Sequence, residues 1–147
     1  MKSFVLAFAA LILTAGVFAQ TAPATVKKAD NYVKFKDVTH DFGKIKQGTP
    51  VTYAFAFSNI TDKPVVIESA TASCGCTTPT KPEAPIAKGK EDKITAGFNA
   101  ANAGPFNKTI YVKVAGVDQP LELKITGEVL KAEDFANYEK EKDAKKG

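Results

Sequence analysis

Hydrophobic residues recur at every second position in several separate stretches of this chain, and that period predicts β-strands rather than helices. The clearest stretch covers residues 51–58. Val51, Tyr53, Phe55 and Phe57 fall on one face, and Thr52, Ala54, Ala56 and Ser58 on the other. Burying four such side chains is worth roughly 6–12 kcal/mol before conformational entropy is set against it. Val33 and Phe35 alternate with lysines in a short first strand, and residues 39–45 continue extended, with Phe42 as an apolar anchor and Gly43 as a kink or bulge. Gly48 closes the following turn with positive φ. Pro64 opens a strand over residues 65–72, where its missing N–H does little harm. Three further inward rows follow: Ile94, Ala96 and Phe98; Ile110, Val112 and Val114; and Leu121, Leu123 and Ile125, with Val129 beyond. Ahead of these rows, Pro79, Pro82 and Pro85 repeat with the three-residue period of a polyproline II helix, which predicts a stiff connector across one end of the fold. About seven short strands with turns between them and no central helix predict an all-β sandwich. Its expected core contains Tyr53, Phe55, Phe57, Val65, Ile67, Ile94, Phe98, Ile110, Val112, Leu121, Leu123 and Ile125.

The two ends of the chain read differently. Residues 1–19 have a positive start at Lys2, an apolar run from Phe4 to Leu13 and the small-residue ending Val17-Phe18-Ala19, the pattern of a signal peptide with Gln20 as the first mature residue. The run is too short for a comfortable transmembrane helix, and no other segment is long and apolar enough to span. A periplasmic or secreted location follows as the expectation. Residues 20–30 read as a flexible lead-in. Residues 31–130 hold the single domain, and residues 131–147 form a charged tail with five lysines and five acids, partly helical through Phe135 and Tyr138 or disordered.

Charge narrows the function classes. Without residues 1–19 the chain keeps 19 lysines against 16 acids, and it contains no arginine. The arginine fork is the usual tool for phosphate and base recognition, and no lysine cluster stands out, so nucleic acid is not an expected partner.

Reactive side chains gather at one place, Ser73-Cys74-Gly75-Cys76-Thr77, which holds the only two cysteines. In an extended strand, cysteines at i and i+2 share a face with α-carbons roughly 6.5–7 Å apart, at or beyond the usual disulfide limit. A disulfide therefore needs a bend, which Gly75 permits. Two thiolates could also hold a soft ion such as Cu(I), with His40, the only histidine, as a further ligand. A tight, strained disulfide could serve thiol redox chemistry. The plainest reading is structural: two small residues close a strand end, and no cofactor is required. Catalysis needs a nucleophile, a base and an orienter. A cysteine with His40 lacks the third, because Asp41 points to the opposite face of a strand from His40. The chain is read as no enzyme.

The ordered set His40-Asp41-Phe42-Gly43-x-Ile45-x-x-Gly48, Phe55/Phe57-x-Asn59, Ser73-Cys74-Gly75-Cys76-Thr77, Pro85-Ile86, Gly104-x-Phe106-x-Lys108 and Leu123 to Val129 resembles the DUF1573 family of exported bacterial proteins. The resemblance covers about residues 38–130. It implies an immunoglobulin-like sandwich similar to ASH, major-sperm-protein and PapD-like domains, and it brings no known reaction. The chain departs from the family pattern at Lys88-Gly89, Glu91-Asp92 and Asn59-Ile60-Thr61, all in turns. Asn59-Ile60-Thr61 and Asn107-Lys108-Thr109 match the glycosylation sequon, which carries little weight in a bacterial chain. The expected role is a non-enzymatic interaction module of the cell envelope. It would offer sheet edges or loops to a protein partner. The alternative is a small copper-binding or thiol-redox protein using Cys74 and Cys76.

Overall fold

A computed structural model describes residues 26–145, so residues 1–19, read as a signal peptide, lie outside the described residues. The chain forms β1 (Val33–Phe35), β2 (Thr39–Lys46), β3 (Val51–Asn59), β4 (Ile67–Ala72), β5 (Thr77–Thr80), β6 (Glu91–Phe98), β7 (Gly104–Val114), β8 (Leu121–Leu130) and a terminal helix α1 (Ala132–Ala144). Two four-stranded sheets pack face to face, in the orders β1-β3-β6-β5 and β2-β8-β7-β4. All pairings are antiparallel except β2 with β8, the first and last strands of their sheet, which run parallel. The sandwich is thus the expected one, with eight strands rather than about seven.

The additional strand is β5. Pro79, taken from sequence as part of a polyproline connector, instead lies opposite Ala96 within a ladder. The correction has a simple cause: β5 is an outer strand, where a proline can turn its missing donor away from the ladder.

Period-two alternation sends the large apolar residues between the sheets. Phe55, Phe57, Ile94, Ile110, Val112, Leu123 and Ile125 are fully buried, and Val65, Ile67 and Phe98 nearly so. Tyr53 and Leu121 stay half-buried at the margin of this core. Residues 65–72 are not one continuous strand. Val65 exchanges two hydrogen bonds with Ile86 (2.9 and 2.8 Å) as an isolated bridge. The register then shifts between Ile67 and Ser69, so Glu68 is the extra residue of a bulge. A second irregularity, between Asp41 and Lys44, is the bulge expected at Gly43, whose φ of +65° is costly for residues with a side chain.

Asn59 ends β3 as a buried polar hub, 1% exposed. Its Nδ2 donates to the carbonyls of Lys63 (2.7 Å) and Ile86 (2.9 Å). Its Oδ1 accepts from the Thr61 N–H (2.8 Å) and hydroxyl (2.9 Å). Its backbone pairs with Lys90 and Gly89, both at 3.0 Å. The amide that a sequon would offer to a glycan is therefore inside the fold, with both of its protons donated.

Both flanks are attached to the sandwich. The end of the lead-in is tied down: Lys28 bridges Gln119, the Lys27 N–H donates to Asp118 Oδ2 (3.0 Å), and Ala29 is buried in a single helical turn. Helix α1 buries no residue but sets Tyr138 under the Lys44 ammonium, 5.0 Å from the ring centroid. Glu133 and Asp134 in its first turn and Lys142 in its last complement the helix dipole.

Candidate functional site: the disulfide end of the sandwich

Cys74 and Cys76 form a disulfide, with α-carbons 5.4 Å apart. The bend that brings them together is a turn in which the Thr77 N–H donates to the Cys74 carbonyl (3.3 Å). Gly75 does not take positive φ, and a Cβ built on it meets nothing within 4 Å. The bend that a Cys-x-Cys disulfide requires is thus present at Gly75, without positive φ there.

The disulfide sits where the chain leaves one sheet at β4 and enters the other at β5. On the β4 side, the Ser73 N–H donates to the Thr109 carbonyl (2.9 Å), and the Ser73 hydroxyl accepts from the Thr109 N–H (3.2 Å). On the β5 side, Thr77 is buried, with its hydroxyl 3.7 Å from Cys74 Sγ. Both cysteines remain half-buried.

The Cys76 carbonyl then accepts from the Asn99 N–H (3.1 Å), which fixes the β6–β7 loop beside the disulfide. That loop is anchored at several points. Ala100 is fully buried with φ +51°, a conformation unusual for a residue with a side chain. Its carbonyl accepts from Gly48 N–H (2.9 Å). Asn99 Oδ1 accepts from the Ala101 N–H (3.2 Å), and Gln47 Nε2 donates to the Ala101 carbonyl (2.9 Å). Such surroundings hold a strained residue in place, and strained residues cluster at functional sites.

Loop and disulfide enclose a small cup of about 120 Å³, open to solvent, lined by Cys76, Phe98, Asn99, Asn102, Phe106 and Lys108 among others. The Phe98 and Phe106 rings are stacked, with centroids 4.2 Å apart. Lys108 was not foreseen as a site residue. A signal was present: it falls in the inward row Phe106, Lys108, Ile110, Val112, Val114, the one charge among apolar side chains.

His40 lies in a different setting. Opposite Ile125 in β2, it stacks flat on Tyr53 (3.6 Å between centroids) and meets Phe42 edge-on (4.6 Å). Cys74, Cys76 and His40 are therefore not gathered into a ligand set. Among the described residues no group of three or more His, Cys, Asp or Glu side chains is placed to hold a metal. Asp41, adjacent to His40, accepts the Gly43 N–H (2.9 Å) within its own strand. The Tyr53 hydroxyl donates to Asp37 (3.3 Å). Its pKa is raised above 10.0 by desolvation first, then by the Asp37 charge and hydrogen bond.

Residues 33–129 match a family model described as a protein of unknown function, DUF1573. No protein with a curated description resembles the chain in sequence. Among solved structures, it is similar to a protein of unknown function from Porphyromonas gingivalis W83, at 15% identity and a TM-score of 0.57, over 67% of this chain and 46% of that one. It is also similar to the ASH/PapD-like domain 7 of human CEP192, at 12% identity and a TM-score of 0.56, over 84% of this chain and 99% of that domain. The VesB protease of Vibrio cholerae is similar at 14% identity and a TM-score of 0.53, over 69% of this chain and 33% of the protease. The chain thus spans less than half of the P. gingivalis protein and a third of the protease. At these identities the likeness is one of fold.

Proposed function

The chain belongs to the DUF1573 family, and on that premise we propose that it is an exported, non-enzymatic interaction module that docks an extended segment of a partner protein along the free edge of β4. One observation carries this reading: the four outer strands are not equally protected. β1 is three residues long, and β5 is four and carries Pro79. β2 is interrupted by its bulge and has α1 beside residues 42–44. β4 has six residues, a bulge only at Glu68, and then Ser69, Ala70, Thr71 and Ala72, with neither lysine nor proline. Natural edges are usually blocked by such devices, and an open one is a template for another strand. Because the Ser73 N–H points inward to Thr109, alternation along the antiparallel pair turns the N–H and C=O groups of Ala70 and Ala72 outward.

That geometry supplies a clean test. A proline at position 70 removes an outward N–H and spares the ladder to β7. A photo-crosslinking residue at Thr71, installed in the exporting cell, should give a discrete adduct that Ala70→Pro abolishes while the thermal transition of the purified protein is unchanged. An adduct indifferent to Ala70→Pro, or equally strong from Thr78 on β5, would sink the reading. A thiol-redox role is the second reading, favoured by the half-exposed position of the disulfide. Reduction and reoxidation in glutathione buffers, followed by intact mass, tests it.

A further inference from the structure

Lys108 is the unexplained charge of this fold. It lies opposite Ile125 on the inward side of β7, half-buried, at the cup beside Cys76. Among the described residues, no carboxylate lies within 4 Å of its ammonium, and Nζ makes no hydrogen bond. Inward-pointing lysines can guard exposed sheet edges, but β7 is an interior strand between β8 and β4, so that explanation does not apply. The loop across the cup has spare donors as well: among the described residues, the N–H groups of Asn102 and Ala103 reach no backbone carbonyl.

We infer that this cup is a carboxylate-binding site, in which Lys108 supplies the charge, the residue 102–103 N–H groups supply hydrogen bonds, and the Phe98–Phe106 stack receives the alkyl group beside the carboxylate. Three observations converge on that ligand. The unpaired cation and free donors call for an anion with oxygen acceptors. The stacked rings call for apolar atoms next to it. The volume of about 120 Å³ is far below that of a site for a drug-sized molecule, roughly 300–1,000 Å³. The cup therefore takes one terminal group rather than a whole ligand. Both the free C-terminus of a peptide and a small aliphatic acid carry that group, and capture of chain termini by backbone donors is a known recognition mode. The loop is already held by Gly48, Gln47 and Cys76, so little ordering is needed when the ligand enters.

The test uses the 15N-labelled mature protein and three probes: a short uncharged peptide ending in valine, the same peptide as its C-terminal amide, and propionate. The acid peptide or propionate should shift the amide resonances of Asn102, Ala103 and Lys108, and amidation should weaken peptide binding at least tenfold. Lys108→Met, which keeps the alkyl stem against the rings, should weaken acid binding at least tenfold with the core resonances unmoved. An acid peptide that binds more tightly than propionate assigns the site to chain termini, and equal or tighter propionate assigns it to free acids. The site is overturned if neither acid moves those resonances. It is overturned equally if the amide binds as well as the acid, a comparison made on wild-type protein and so independent of how the variant folds.

Discussion

At one end of β3, Asn59 is sealed inside the fold with its side-chain oxygen and both amide protons paired. At the other end, Val51 lies opposite Phe98, next to a disulfide turn, a strained Ala100 and Lys108, which has no partner among the described residues. The two regions belong to the same strand and the same core, yet their polar groups are used in opposite ways. Around Asn59 every group is spent on holding the β3–β4 turn and the connection before β6 together. Around Cys76 the backbone is held firmly, while among the described residues Lys108 and the N–H groups of Asn102 and Ala103 have no partner. Polar groups satisfied internally identify a structural end, and polar groups held rigid but unsatisfied identify a binding end.

The sharpest way to break this comparison is Asn59→Ala. It removes four side-chain hydrogen bonds, to Lys63, Ile86 and Thr61, and should lower stability by about 2–4 kcal/mol in denaturant unfolding, at roughly 0.5–1 kcal/mol net for each bond lost. A loss under about 0.5 kcal/mol, the size of an ordinary surface change, would mean that the hub is not structural.

The paired change Cys74→Ala/Cys76→Ala should do less. The disulfide closes a minimal loop, so it restricts the unfolded chain little, and the cost should fall below the usual 2–4 kcal/mol. The comparison predicts a split result: a small stability loss by the same denaturant measurement, with weakened carboxylate binding because the disulfide fixes the turn from which the Cys76 carbonyl holds the Asn99 N–H. Equal stability losses at the two ends would erase the distinction.

The smallest effect lies between them, at Tyr53. Its folded pKa is raised, so the protonated phenol is what the fold favours. That contribution is fully present below the unfolded pKa of 10.0 and is lost as pH rises through the folded value. Wild-type stability should therefore fall more steeply above pH 10 than that of Tyr53→Phe, read as the difference between the two thermal melts; parallel curves would mean that the fold does not favour the protonated phenol.

The strands that could be read from sequence were those in which one face is uniformly apolar, as in β3, β6 and β8. Register there follows from the hydrophobic pattern alone. Where a second constraint competes, the pattern misleads. Pro79 has the spacing of a polyproline connector, and only its outer place in the sheet makes it a strand residue. Glu68 breaks the period of β4 with a bulge that local sequence does not announce. The two cysteines were evident as the place to look, and the bend they require lies at Gly75, without positive φ. Ala100 was invisible because alanine carries no signature of positive φ; neighbours distant in sequence, such as Gly48, hold it there. Lys108 could have been found by asking why one inward position in β7 is charged.

The parallel pairing of β2 with β8 sets the order in which this fold can assemble. β2 is an outer strand whose sole neighbour in its sheet is β8, about 85 residues further along the chain. Residues 39–46 thus have no ladder to join until residues 121–130 are available, and the bridge from Lys28 to Gln119 waits on the same stretch. Contacts of such long sequence separation are slow to form, because loop closure precedes any reward from pairing. A chain still lacking its last strand cannot complete the sandwich. Until residues 121–130 emerge, the second sheet lacks the strand that joins β2 to β7.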